Sequence, residues 1–200
     1  MSNGQMSKAT LQRRPLVKKI LEGADDNLLV IAGLGSSNWD ITEAGDRPLN
    51  MPLWGAMGAP VSMGLGLALA QPAKRVLVIT GDADLMMSLG SLATVATQQP
   101  ENLAIIVLDN EKFGETGRQR GLTAGRTDIT AVAKGCGFRA TMTVTEQGAA
   151  AELAQLLFKK PGPVLGVAKI AVTEDPWALP EKDGAAIGHR FRTALGVEKT

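Results

Sequence analysis

"VITGDADLMMSLG", residues 78–90, interrupts an apolar run with Gly81 and places two carboxylates, Asp82 and Asp84, just ahead of a second apolar stretch. Residues 76–80 (VLVIT) have the composition of a strand buried on both faces, and residues 85–96 read as a helix, so residues 81–84 form the turn between them. Three further runs share that character: residues 28–32 (LLVIA), 103–108 (LAIIVL) and 164–167. Helical patterns fill the intervals at 16–21, 59–70, 129–135 and 147–158. Strand alternating with helix predicts an α/β fold, a three-layer α/β/α sandwich around a mainly parallel, doubly wound sheet. The expected organisation is a flexible segment over residues 1–14, one domain over 15–170, and a C-terminal extension over 171–200. That extension, with Pro176, Pro180 and Gly184, is expected to cross the surface before a short helix at 189–195.

Composition narrows the function. The chain has 200 residues and is 44% hydrophobic, enough for one well-filled core. Its 21 Lys and Arg against 20 Asp and Glu leave a net charge of +1, which provides no long-range field for nucleic acid or an anionic membrane. A single cysteine, Cys136, excludes an intrachain disulfide framework and a four-cysteine metal site, and it suits a reducing cytoplasm, the expected location. Cys136 itself reads as a small core residue and His189, the sole histidine, as a solvated one. No secretory signal and no membrane-spanning run is apparent.

At the carboxyl end of a parallel strand the following helix offers free N–H groups to a phosphate. A carboxylate there would repel that phosphate unless a divalent cation lay between them, and Mg²⁺ characteristically joins one or two protein oxygens to substrate phosphates. A second oxygen ligand is then required at the next strand tip. Residues 103–108 end in "LDNEKFGETG", which supplies Asp109 and Asn110, the latter 28 residues after Asp82.

This pattern resembles the cofactor motif of the thiamine diphosphate-dependent enzymes, a Gly-Asp-Gly turn followed after some 25 to 30 residues by Asn at a strand end. The upstream stretch "PLWGAMGAPVSMGLGLALAQPAKRVLVITGD" is similar to the segment that precedes it in the decarboxylases of that family. The resemblance runs from about residue 16 to 170 and is strongest to the group acting on sulfopyruvate or phosphonopyruvate. It implies that Asp82, Asn110 and the carbonyl of Lys112 hold Mg²⁺, and that Gly81, Ala83 and Asp84 approach the diphosphate. By the same resemblance the Gly55 carbonyl meets the cofactor's amino group and Met57, after Ala56, is the wedge between its rings. Gly35, Ser36, Phe113, Gly114 and Glu115 complete the expected cofactor contacts, with Met57 and Glu115 as the candidates nearest the chemistry. The implied reaction is non-oxidative decarboxylation of a small anionic 2-oxo acid to an aldehyde and CO₂.

The resemblance covers only the diphosphate-binding half of such an enzyme. The glutamate that starts the chemistry is therefore expected from a separate pyrimidine-binding α subunit, in a hetero-oligomer of at least α2β2. Two departures stand out. Ala83 replaces the second glycine of the Gly-Asp-Gly turn and Asp84 stands where a small neutral residue is usual in that family, so the Asp84 side chain is expected to turn away from the diphosphate. "ETGRQRGL" brings Arg118 and Arg120, whose guanidinium forks suit a sulfonate, phosphonate or carboxylate. Both also have the ordinary reading of surface arginines. Two alternatives share these residues: a carboligase-type subunit resembling acetohydroxyacid synthase, and a non-catalytic regulatory subunit that binds the cofactor.

Overall fold

Residues 9–197 are described by a computed structural model. Eight helices and eight strands follow one another in the order α1 (Arg13–Leu21), β1 (Leu28–Ala32), α2 (Ser36–Glu43), β2 (Asn50–Pro52), α3 (Pro60–Ala70), β3 (Arg75–Gly81), α4 (Asp82–Met86), α5 (Ser91–Gln98), β4 (Leu103–Asp109), β5 (Lys112–Phe113), β6 (Gln119–Arg120), α6 (Ile129–Cys136), β7 (Ala140–Val144), α7 (Ala150–Lys159), β8 (Val164–Lys169) and α8 (Gly184–Ala194). Six strands make one parallel sheet in the order β2-β1-β3-β4-β8-β7. The remaining two, β5 and β6, form a small antiparallel hairpin.

The central strands β1, β3 and β4 are apolar along their length because both faces are covered. Alternate residues feed two cores. Val30, Leu77, Ile79 and Ile106 pack with α1, α2 and α7 on one side, while Leu29, Ile31, Val78 and Ile105 pack with α3, α5 and α6 on the other. The result is the three-layer sandwich expected from the alternation of strand and helix. From β1 the chain steps outward to β2, then returns to the other side of β1 to make β3. The carboxyl ends of β1 and β3 therefore flank a switch in strand order, where open α/β sheets leave a crevice.

Several local expectations are corrected. Part of the segment expected to be loose, residues 1–8, lies outside the described residues, but Leu11 is fully buried and bridges Ile170 before α1 begins at Arg13. The single helix expected over 85–96 is two, α4 and α5. It breaks where the Ser88 hydroxyl donates to the Gly58 carbonyl and Gly90 precedes α5. α2 was hidden in "SSNWD" because it buries Ser37, Asn38 and Asp40 rather than an apolar stripe. Edge strands β2 and β7 escaped for the opposite reason: one is three residues long and contains proline, the other alternates threonine with half-buried residues.

After β8, residues 171–183 cross the carboxyl edge of the sheet as an extended strap, and α8 then docks on the β2 side through Ile187 and Phe191. The strap is held along its length. Arg13 meets Asp175 at 2.9 Å, Arg14 donates to the Pro176 carbonyl, Trp177 stacks on Trp39 with ring centroids 5.6 Å apart, and Trp54 Nε1 donates to the Glu181 carbonyl.

Candidate active site

The parallel register fixes which residues meet at the crevice. Gly81 pairs with Leu108, so the next residues along the two strands, Asp82 and Asp109, stand side by side at the sheet edge, and Asp109 pairs in turn with Lys169 at the end of β8. A cavity of about 150 Å³ opens there, lined by Ser36, Met57, Asp82, Asp84, Asn110 and Lys112 among others. Gly81, Ala83, Phe113, Gly114 and Glu115 share its wall. Eleven of the sixteen candidates are thus brought together. Gly35 stands one residue outside as the N-cap of α2, with φ +75°, and a side chain there would come within 2.6 Å of Glu115 Oε1. Gly55 and Ala56 lie on the turn that leads to Met57 but do not line the cavity.

The two sequence signatures are physically tied through Asp84. Its Oδ1 accepts from the Gly58 N–H at 2.6 Å and its Oδ2 from the Thr80 hydroxyl at 2.7 Å. The side chain is therefore turned away from the helix start and into the joint between the two turns. Asp84 is also not an N-cap: α4 begins at Asp82, and its cap residue Gly81 makes no side-chain bond. Burial pushes its pKa up, against the opposing bonds from Thr80 and Gly58. Gly33 must lack a side chain because a Cβ would come to 2.0 Å from Asp84 Oδ2. Ala83 sits in the first turn of α4 with an ordinary negative φ, so nothing in the backbone demands glycine there. Asp84→Ala is expected to lower stability by roughly 1–3 kcal/mol, since it strips partners from the buried Thr80 hydroxyl and the part-buried Gly58 N–H; denaturant unfolding would measure it.

Asp82 is 3% exposed. Burial, then the neighbouring Asp109 carboxylate, pushes its pKa up to about 6, with the Thr123 hydroxyl and local backbone N–H groups opposing. Thr123 Oγ1 stands 2.9 Å from Asp82 Oδ2 and 2.8 Å from Asp109 Oδ1. Lys169 Nζ lies 2.7 Å from Asp109 Oδ2 and 2.8 Å from Glu111 Oε1. Although burial disfavours its charge, those bonds raise the Lys169 pKa overall. Asn110 closes its own turn, its Oδ1 accepting from Lys112 N at 2.8 Å. The loop that follows is bounded by two residues in the left-handed region, Glu111 at φ +60° and Arg118 at φ +62°, a conformation L-residues adopt at a cost.

These donors fit Mg²⁺. The wall offers a carboxylate, an amide oxygen with a second lone pair to spare, and a backbone carbonyl, all hard oxygen ligands. In the hairpin, Glu111 and Phe113 carbonyls accept from Gly121 and Arg118, so alternation turns the Lys112 carbonyl away from β6. The first turn of α4 at the same wall has no bond from an N-cap side chain, and its Asp82 and Ala83 N–H groups bear on the Asp82 carboxylate.

A larger chamber of about 580 Å³ adjoins this cavity beneath the strap, sharing Ser36, Asn110, Lys112 and Glu115 and adding Arg13 and Arg118. Arg118 pairs there with Glu174 of the strap at 2.5 Å. Arg120 lines neither space; its guanidinium donates to the Ala124 carbonyl. Sequence reasoning missed Thr123 and Lys169. Thr123 belongs to no spaced motif, while Lys169 was recoverable only from knowing that β8 lies beside β4.

The chain is similar to several known proteins. Residues 34–167 match the family model described as thiamine pyrophosphate enzyme, C-terminal TPP binding domain. The chain is 36% identical over 126 residues to sulfopyruvate decarboxylase subunit beta of Methanocaldococcus jannaschii, covering 63% of this chain and 66% of that protein. With the corresponding subunit of Methanothermobacter thermautotrophicus it shares 40% identity over 128 residues, 64% of this chain and 68% of the relative. Phosphonopyruvate decarboxylase of Streptomyces viridochromogenes is 33% identical over 187 residues, which cover 93% of this chain but only 47% of that enzyme. A solved structure from Mycobacterium smegmatis, described as a thiamin diphosphate-dependent enzyme, superposes with a TM-score of 0.71 at 19% identity, over 86% of this chain and 35% of its own, which supports the fold.

Proposed function

From the premise that the chain belongs to the thiamine pyrophosphate enzyme family, we propose that it is the diphosphate-binding subunit of a split 2-oxo acid decarboxylase. Its substrate would be sulfopyruvate, phosphonopyruvate or a similar anionic 2-oxo acid, released as an aldehyde and CO₂. The observation that carries this reading is the Asp84 joint: one carboxylate locks the turn at Gly58 to the turn at Gly81–Asp84, so that Met57 and Asp82 face the same cavity beside Asn110 and Lys112.

In this reading Asp82, Asn110 and the Lys112 carbonyl hold Mg²⁺, and the first-turn N–H groups of α4 receive the diphosphate. Thiamine diphosphate, when bound, supplies the electron sink for decarboxylation. Met57, 39% exposed at the cavity and able to adapt its shape, would pack against the cofactor's rings. Gly55, Ala56, Gly35, Ser36, Phe113, Gly114 and Glu115 shape the remainder of the cofactor bed. Arg118, facing the larger chamber, receives the anionic tail of the substrate. A pyrimidine-binding subunit completes the site, in an assembly of at least α2β2. The lone cysteine, half-buried, fits a cytoplasmic protein, and no helix among the described residues is long and apolar enough to cross a membrane.

Calorimetric titration of the full chain with thiamine diphosphate and Mg²⁺ tests the reading, together with CO₂ release from the two oxo acids once the partner is added. Binding without decarboxylation in the mixture would leave a regulatory cofactor binder, and a carbon–carbon bonded product would leave a carboligase. Arg118→Gln is expected to raise KM for sulfopyruvate roughly tenfold or more while changing KM for pyruvate little, as loss of a charge-assisted bond to the tail requires.

A further inference from the structure

Asp82 is held from behind by groups the proposed function does not use. Its Oδ2 accepts from Thr123 Oγ1 at 2.9 Å, and the Gly121 backbone crowds the same oxygen, where a Cβ would stand 3.2 Å away. Oδ1 has no side-chain partner among the described residues. Thr123 is itself fixed. It is buried in the short 3₁₀ turn Leu122–Ala124, which is tied by Gly121 N–H to the Glu111 carbonyl, by Gly125 N–H to the Leu122 carbonyl and by Arg120 to the Ala124 carbonyl.

A hydroxyl has one proton, and two carboxylates lie within reach of this one. Asp109 already accepts from Lys169 Nζ at 2.7 Å and from Glu111 N–H at 3.0 Å. The Thr123 proton is therefore available to Asp82. The chain of contacts runs from Lys169 through Asp109 and Thr123 to a single oxygen of Asp82.

Resting on the reading of Asp82 as a metal ligand, we infer that Thr123 is a positioning residue that sets the cation preference of the site: by occupying one oxygen of Asp82 it leaves the carboxylate a single oxygen to offer. Mg²⁺ is small, takes a near-ideal octahedron and is content with one oxygen from each of a few ligands. Ca²⁺ takes six to eight oxygens and readily accepts a carboxylate through both. The clamp thus favours Mg²⁺ over Ca²⁺. The same logic gives Arg120 a duty different from the one its charge first implied, since it pins the turn that carries Thr123.

The test uses the full chain with thiamine diphosphate and Mn²⁺ as probe, bound Mn²⁺ being counted by loss of its aqueous electron paramagnetic resonance signal and then displaced by Mg²⁺ or Ca²⁺. Thr123→Val, of nearly equal volume, is expected to weaken Mg²⁺ by roughly 10-fold or more, the usual range for losing a partner behind a metal ligand. Ca²⁺ should weaken much less, so the Mg²⁺-over-Ca²⁺ ratio falls, and Thr123→Ser should restore it. An unchanged ratio in Thr123→Val, whether both cations keep their affinity or lose it equally, overturns the clamp while leaving the functional reading intact. Failure of the wild-type chain to take up Mn²⁺ overturns that reading and the clamp with it. If Thr123→Val does not fold, Lys169→Gln decides by the same ratio, because without the ammonium Asp109 draws the Thr123 proton away and releases Asp82.

Discussion

Asp82→Asn is expected to abolish Mg²⁺-dependent binding of thiamine diphosphate and, in the same protein, to stabilise the metal-free chain above pH 6. The binding loss follows from removing the only charge among the three proposed ligands. The gain in stability follows from linkage. The Asp82 carboxyl is raised from 3.8 to about 6 on folding. Its favourable contribution, as the protonated acid, is fully present below the unfolded value and is lost as pH rises through the folded one. At pH 7.5 the ionised group carries a cost of roughly 3 kcal/mol at about 1.4 kcal/mol per unit, which a neutral amide of the same shape avoids. In a chain of this size that corresponds to a rise on the order of 8 °C in melting temperature. Asp40 is raised to about 6 by its own burial, but it is present in both proteins, so the difference between them isolates Asp82. Paired melting curves from pH 4 to 8 should show the two proteins close together at the acid end, separating as pH rises from about 4 to 6, and running parallel above that. A flat difference would contradict the burial argument, and retained tight binding would remove Asp82 from the metal site. Mg²⁺ affinity of the wild type should likewise fall about tenfold per unit below pH 6 as the ligand takes up its proton.

The full chain assayed by itself is expected to release CO₂ from sulfopyruvate at least 100-fold more slowly than the mixture with its pyrimidine-binding subunit. Acid–base assistance from one positioned group is typically worth 10²–10⁴ in rate, about that deficit. Of the carboxylates that line the cavity, Asp84 is spent on Gly58 and Thr80 and Asp82 faces the proposed cation, which leaves exposed Glu115, beside Gly35, as the one this chain could offer. Met57 stands 39% exposed at the same cavity. Titrating the partner into a fixed amount of this chain should give activity that saturates at a definite ratio. Full turnover by the pure chain would show that Glu115 or another of its own groups supplies the missing acid.

Much of this architecture was legible in the chain because buried parallel strands leave a plain signature. VLVIT and LAIIVL are apolar throughout, and the turns after them carry residues that an ordinary loop does not require. What stayed hidden was polar burial. α2 encloses Ser37, Asn38 and Asp40, and periodicity counts such residues as surface. The same blindness covered Thr123, which is silent as a motif and decisive only after the hairpin folds it back over Asp82. The Asp84 side chain was expected to turn aside, but its destination depended on a residue 26 positions earlier in the chain. Arg118 and Arg120 look interchangeable in sequence and are separated by the hairpin, which faces one to the chamber and ties the other to its own turn.

The chain has three tryptophans and no tyrosine, and every tryptophan is engaged at the strap: Trp39 and Trp177 with each other, Trp54 with Glu181. Its ultraviolet emission therefore comes from indoles that all touch residues 171–183 or their seat. Any displacement of the strap would be recorded optically by the native protein, with no label to attach.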